Sequence, residues 1–371
     1  MTTSPLVRSL VRPLVTPLTG RVYATAPVNT IAPVISGTAE IAQTLTCTTG
    51  TWSGSPTSYA YQWTRDGADI GGATASTYAT VVADADKDIR CEVTAINDAG
   101  PSLPALSNTL AIAALDADAL AVINAVVGAG ATVTAGQAKT INTFHVVGKS
   151  DGWYTNLKRL HLPIWGTASP NAIDWIARGS GTWVGGITHG AGYAQSNGTT
   201  GYFDLGVSGP SLGMTIASGY IGYLRNVSGA GSRGIYGAAD VTNSNAISAL
   251  DWTAQVLADW INGTTGRLGS TPSYLFNGVT SYRVFSGSRT IRGRNAAGVS
   301  SHATGALLGS GSLTTRQLYF MAFNSNGTLF NPTTSQFGAF FAGLGMSQTM
   351  DDQFTSALKT LWEGLTGLTL P

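Results

Sequence analysis

The sequence predicts a mainly β, multi-domain chain, and three observations carry that expectation. Gly numbers 47 in 371 residues, while Asp, Glu, Lys and Arg together make up only 11%, a balance that suits β-rich proteins with many tight turns. Short apolar runs alternate with polar residues between turn-forming breaks, as in Gly201-Tyr202-Phe203-Asp204-Leu205-Gly206 and Leu318-Tyr319-Phe320-Met321-Ala322-Phe323. The hydrophobic share of 43% and the aromatic share of 9% are too high for a disordered chain. A chain of this length can fill two or three separate cores. Its net charge of +1 supplies no global field for nucleic acid or an anionic membrane, so neither is expected as a partner.

The first element, residues 1–27, reads as an extended arm. A four-residue repeat places Leu6, Leu10, Leu14 and Leu18 in register. On one helix they would stack, but Pro13 and Pro17 would each delete a helical hydrogen bond and clash with the preceding turn. A regularly spaced apolar arm that cannot fold by itself is expected to dock on a partner, the alternative being an unattached tail. Arg8, Arg12, Pro13 and Pro17 interrupt any signal-peptide-like run, and no stretch reaches the 18 apolar residues of a membrane span. The expectation is synthesis in a cytoplasm without export by a visible signal.

Residues 28–114 read as short strands punctuated at sandwich spacing by Pro33, Gly37, Gly50, Gly54, Pro56, Gly67, Gly71 and Gly100. Cys47 and Cys91 flank Trp63, the order in which a core Trp packs between two facing sheets. The runs YQWTRDGADIGGATASTY and DADKDIRCEVTAINDAG, residues 61–78 and 84–100, resemble the bacterial and phage immunoglobulin-like repeat. The resemblance implies an immunoglobulin-like core of Cys47, Trp63 and Cys91. It departs from antibody domains at Ile89, where a Tyr would make the tyrosine corner. Two states stay open for the cysteines: reduced at synthesis in a cytoplasm, or oxidised later because the strands that carry them face each other.

Residues 115–160 read as a helical connector. Asp116 caps a segment with Leu120, Ile123, Val126 and Val127 at helical spacing. Thr134 and Gln137 form a capping box ahead of Ile141, Phe144 and Val147, with Gly148 and Gly152 expected to end that helix. Residues 161–371 return to alternating segments and close on a helix carrying Met350, Phe354, Leu358, Leu361 and Leu365 on one face. Asp351 and Asp352 stand at its positive end, and Gly364 or Gly367 stops it. The run from Asp116 to Gly166 resembles the helical lead-in of tailed-phage fibre and minor structural proteins. SNGTTGYFDLG and FFAGLGMSQTMDDQFTSALKTLWEGL resemble the early hairpin and the closing strand and helix of their concanavalin-A or laminin-G jelly-rolls. The predicted fold is therefore an immunoglobulin-like sandwich, a short helical segment, and a jelly-roll sandwich with a C-terminal helix.

Few residues point to catalysis. Only Glu40, Glu92 and Glu363 occur, and a glycosidase needs two carboxylates across a cleft, which leaves Asp204, Asp240, Asp251 and Asp259 as candidates or as turn and cap residues. No G-x-S-x-G elbow is present. Gly148-Lys149-Ser150 ends like a phosphate loop but Thr143 stands where its first Gly belongs, and Gly229, Gly231 and Gly234 fall between strand-like segments rather than before a helix. His145, His161, His189 and His302 share no metal-ligand spacing. Asp84, Asp86 and Asp88 could hold Ca²⁺ but lack the Gly and terminal Glu of a calcium loop, so no metal or cofactor is expected.

The resemblances together imply a virion structural protein, on tail, neck or head, with no enzymatic activity. It would attach to other virion proteins through residues 1–20, assemble as a homotrimer, and display its domains for binding host surface polysaccharide. Sugars stack on aromatic faces, which makes Tyr202, Trp252, Trp260, Tyr274 and Tyr282 the contact candidates, unless they fill the sandwich core. The rivals are a capsule-degrading depolymerase, a decoration or collar protein that binds no glycan, and a bacterial adhesin.

Overall fold

The computed structural model describes residues 25–227, 233–239, 246–252, 255–260, 268–269, 278–295, 298–306, 313–330 and 332–370. The arm repeat Leu6, Leu10, Leu14 and Leu18 lies outside the described residues, as do Asp240 and Tyr274. The architecture is mainly β, with several sheets, a short helical segment and a C-terminal helix. The chain divides into two compact units, one within residues up to Ala111 and one from Ile112 onward, with residues 40–42 and 80–86 grouped with the second.

The first unit is an immunoglobulin-like sandwich. Ser58–Arg65 pairs antiparallel with Asp88–Asn97, whose other edge takes Ala105–Leu106 and Leu110–Ala111. The facing sheet joins Ile35–Ser36, Thr44–Cys47 and Thr77–Ala79. Strict alternation along Asp88–Asn97 buries Ile89, Cys91, Val93 and Ala95, and along Thr44–Cys47 it buries Leu45 and Cys47. Trp63 lies opposite Cys91 in register. Its indole is wholly buried, stacks on Tyr78 with centroids 5.5 Å apart, and donates from Nε1 to the Ala75 carbonyl at 2.8 Å. Cys47 and Cys91 are both buried free thiols. Each contacts the other, which holds the Cys47 thiol below and pushes the Cys91 thiol above the ordinary value. Ile89, fully buried, fills the corner position with carbon.

The second unit is a sandwich of two mainly antiparallel sheets with a layer of helices. One sheet runs in the order Ile187–Gly190, Tyr193–Ser196, Gln336–Gly343, Gly219–Val227, Gly278–Phe285, Ser288–Asn295 and Gly298–Ala306, with Leu157–His161 also on Gln336–Gly343. The other runs Thr182–Val184, Tyr202–Ser208, Gln317–Phe320, Arg233–Ala239, Ala246–Trp252, Gln255–Trp260 and Leu268–Gly269. Between them lies a core that includes Phe203, Tyr223, Tyr236, Tyr282, Phe320, Phe337 and Phe340.

The helices follow their caps. Asp116 accepts from the Asp118 and Ala119 amides and starts α1 (Ala117–Gly128). Thr134 and Gln137 exchange bonds of 3.2 and 2.9 Å and start α2 (Ala135–Ser150). Gly148 does not end α2. A Cβ there would come within 2.5 Å of the Trp153 indole, so the glycine lets that ring close on the helix. A one-turn helix, α3 (Ala168–Asn171), follows. Ser347 caps α4 (Gln348–Thr366), and Gly367 stops it in the left-handed conformation at φ 70°. Gly364 stays inside α4, where a Cβ would press on Thr140 at 2.8 Å. Residues 115–160 are thus no separate connector. α1 and α2 belong to the second unit, and Leu157–His161 is a strand of its sheet.

Candidate functional site

The helix layer decides which sheet face remains for a ligand. On the outer side of the first sheet, the Tyr220 hydroxyl donates to Asp351 Oδ1 at 2.5 Å. Arg292 reaches Asp351 Oδ2 at 3.1 Å and Asp352 Oδ1 at 2.7 Å. Arg294 donates to Thr355 Oγ1 at 3.0 Å and to the Asp352 carbonyl at 2.9 Å. Phe354 packs its ring on Phe341 and Tyr220 at 4.9 and 5.8 Å. Burial, then the Asp351 carboxylate, pushes the Tyr220 phenol well above its ordinary range. This face is occupied by α4.

On the second sheet, period-two alternation separates an inward row from an outward one. The inward row is Trp183, Phe203, Phe320 and Tyr236, with Phe320 and Tyr236 stacked at 4.1 Å. The outward row is Thr182, Asp204, Tyr319 and Gly237. Tyr202, two residues from Asp204 on the same strand, stacks on Tyr319 with centroids 4.3 Å apart and planes 32° from parallel. Tyr202 is half-buried, whereas Tyr319 is only 8% exposed. Burial, then the neighbouring Tyr202 hydroxyl, pushes the Tyr319 phenol up to about 12. Tyr319 is therefore the backing of the pair and Tyr202 its accessible ring.

Asp204 completes the patch. Its Oδ1 accepts from the Gly206 amide at 2.8 Å, and Oδ2 has no protein donor among the described residues. Burial raises its carboxyl above the ordinary value, opposed only by that amide, with no cation among the described residues countering it. The arrangement offers an aromatic face, a carboxylate oxygen that accepts hydroxyl hydrogens, and the exposed Thr182 hydroxyl beside it.

The other predicted residues disperse. Tyr282 is a correction: it is 2% exposed, opposite Ile221 and Ile291 inside the sandwich, where no sugar can stack on it. Trp252 and Trp260 end the Ala246–Trp252 and Gln255–Trp260 strands, but their side chains, like those of Asp251 and Asp259, lie outside what is described. Of the calcium candidates, Asp84 is buried and takes the Val81 amide at 2.7 Å, while Asp86 and Asp88 are exposed. Among the described residues no group of three His, Cys, Asp or Glu side chains could hold a metal. Lys149, the phosphate-loop candidate, is held by Asp116 and Asp118 at 2.8 and 2.7 Å. Of the glycine triplet, Gly234 sits in the Arg233–Ala239 strand, and Gly229 and Gly231 lie outside the described residues. His145 and His161 are buried, and burial lowers both imidazoles.

Sequence reasoning missed Tyr319 and Trp183. Tyr319 was legible only as one residue of an alternating run, and its pairing with Tyr202 comes from the register of strands more than a hundred residues apart. Trp183 packs on Phe203 at 4.4 Å and His189 at 4.7 Å, and its Nε1 donates to the Ala168 carbonyl at 3.2 Å, so it plugs the sandwich edge. A groove of about 710 Å³ between α2 and α4 is floored by Phe144, Val147, Ala357 and Leu361. Its polar wall is engaged within the fold: Thr140 and Thr143 donate to their own helix, and Arg294 is held by Thr355 and Asp352.

No family model matches the chain. No curated protein matches it either. Among solved structures it is similar to a Trypanosoma rangeli sialidase mutant displaying trans-sialidase activity, at 8% identity and TM-score 0.39, over 89% of this chain and 53% of the sialidase. It is also similar to the IT-sialidase CBM40 of Ruminococcus gnavus bound to α2,3-sialyllactose, at 11% identity and TM-score 0.28, over 38% of this chain and 80% of that one. A third likeness is to domain 4 of AbnA, an arabinanase of Geobacillus stearothermophilus in complex with arabinotriose, at 11% identity and TM-score 0.32, over 54% and 98% of the two chains. The chain spans about half the length of the sialidase. These are distant likenesses, and at such scores they assign neither ligand nor activity.

Proposed function

We propose that the chain is a non-catalytic glycan-binding protein displayed on a virion. Residues 1–20 attach to other virion proteins, the immunoglobulin-like unit is the spacer, and the second unit meets host surface polysaccharide. The observation that carries glycan binding is the Tyr202–Asp204 patch: a half-buried aromatic ring beside a carboxylate oxygen that no described protein group satisfies, on the sheet face that the helices leave uncovered. The virion role rests on the arm repeat and on the sequence resemblances.

The strand order keeps Asp204 from pairing with Asp251 or Asp259 across a cleft. Asp251 and Asp259 stand three and four strands from the strand of Asp204. At about 4.8 Å per strand these steps alone amount to roughly 14 and 19 Å. Paired glycosidase carboxylates stand roughly 5–9.5 Å apart. Purified protein incubated with host capsule or lipopolysaccharide should retain the polymer and leave its chain length unchanged. New reducing ends would overturn the non-catalytic reading, and failure to retain any host polysaccharide would overturn the binding reading.

A further inference from the structure

We infer that the Tyr202–Asp204 patch selects uncharged sugars and turns away polyanionic glycans; this rests on the glycan-binding reading above. The chemistry of the patch is one-sided. Its charged group is a carboxylate that no described Lys or Arg side chain pairs with. A glycan carboxylate or sulfate placed on the Tyr202 ring would therefore meet a like charge in a partly desolvated setting, where such repulsion is strongest.

A neutral sugar meets no such barrier. Its ring can lie on Tyr202, which the Tyr319 ring backs at 4.3 Å. Asp204 is oriented by the Gly206 amide through Oδ1, which leaves Oδ2 to accept from a sugar hydroxyl. Hydrogen bonds to an ionised acceptor are stronger than neutral ones. The carboxylate is thus an attractive group for a neutral polyol and a repulsive one for an acid, so one residue supplies both affinity and discrimination.

The test uses the full chain in affinity electrophoresis at low salt against two sets of immobilised polymers. One set is neutral (dextran, arabinan, galactan) and the other acidic (polysialic acid, alginate, hyaluronate). At least one neutral polymer should retard the protein, with every acidic polymer about tenfold or more weaker, the scale of one like-charge contact at short range. Asp204→Asn keeps the shape and the Gly206 bond and should narrow that gap by weakening neutral binding and relieving the acidic penalty. Tyr202→Ala should weaken retardation by every polymer that binds. Wild-type retention of acidic polymers as strong as neutral ones, or an Asp204→Asn variant with an unchanged gap, overturns the selectivity while leaving glycan binding in place. Retention by neither set overturns both readings.

Discussion

Asp204 is an uncommon carboxylate, half-buried on a sheet with one backbone donor and no cation among the described residues. Its raised pKa gives the pH dependence a definite sign. Binding that uses the ionised oxygen is complete above the folded-state pKa and lost as pH falls through it. Because burial raises that value, the loss should begin above the ~3.9 of an unperturbed aspartate. Glycan affinity measured by calorimetry on descending pH should drop first in the wild type, while Asp204→Asn, already weaker, should show little change over the same range. Trp63 is held by packing. The ring is fully enclosed, stacked on Tyr78 and hydrogen-bonded to Ala75. Trp63→Ala should cost about 3–5 kcal/mol, as for other buried aromatics. Limited proteolysis should then find residues 28–113 cleaved first; an unchanged cleavage pattern and melting temperature would remove Trp63 from the core.

The informative element is α4, whose first turn is charged on the side that faces the sheet. Acidic residues near a helix start are favoured by the helix dipole alone, and Asp352 at its partly exposed position fits that account. Asp351 does more: it is 1% exposed and takes both Tyr220 and Arg292. Removing one partner of a buried ion pair strands the other, at a cost of roughly 3–5 kcal/mol, whereas replacing both with apolar residues can be nearly neutral. Asp351→Asn should therefore destabilise the chain by about 3 kcal/mol in urea unfolding. The double change Asp351→Leu with Arg292→Met should recover part of that loss, because the buried Tyr220 hydroxyl still loses its acceptor. Equal costs for the single and double variants would mean that the contact is not a coupled pair.

At the scale of the whole molecule, the proposed attachment depends on what the arm cannot do alone. Burying Leu6, Leu10, Leu14 and Leu18 gains about 1.5–3 kcal/mol each, against ordering costs of about 1–2 kcal/mol per residue. Over sixteen residues the ordering cost exceeds that gain, so the arm orders only where another surface adds burial. Deleting residues 1–20 should leave both units folded by circular dichroism and thermal melting but remove the protein from assembled particles. Changing two of the four Leu to Asp should act in the same direction. Full occupancy of the truncated chain on particles would place attachment in the later residues.

The sequence by itself determined the elements whose signals are local. The Thr134–Gln137 capping box and the alternating run at 201–206 each depend on neighbours within one turn or strand, and each formed where it was read. Helix ends were less legible, because Gly148 and Gly364 look like stops until Trp153 and Thr140 are seen pressing on them. Only the tertiary structure decided which aromatics face out. Tyr202 and Tyr282 sit in alike alternating runs, yet one lies half-buried on the outward side of its sheet and the other is enclosed in the core. The reason is that alternation divides a strand into two faces without saying which face another sheet or helix will cover. That choice rests on register and layer order across distant segments, and it brought Tyr202, Asp204 and Tyr319 together.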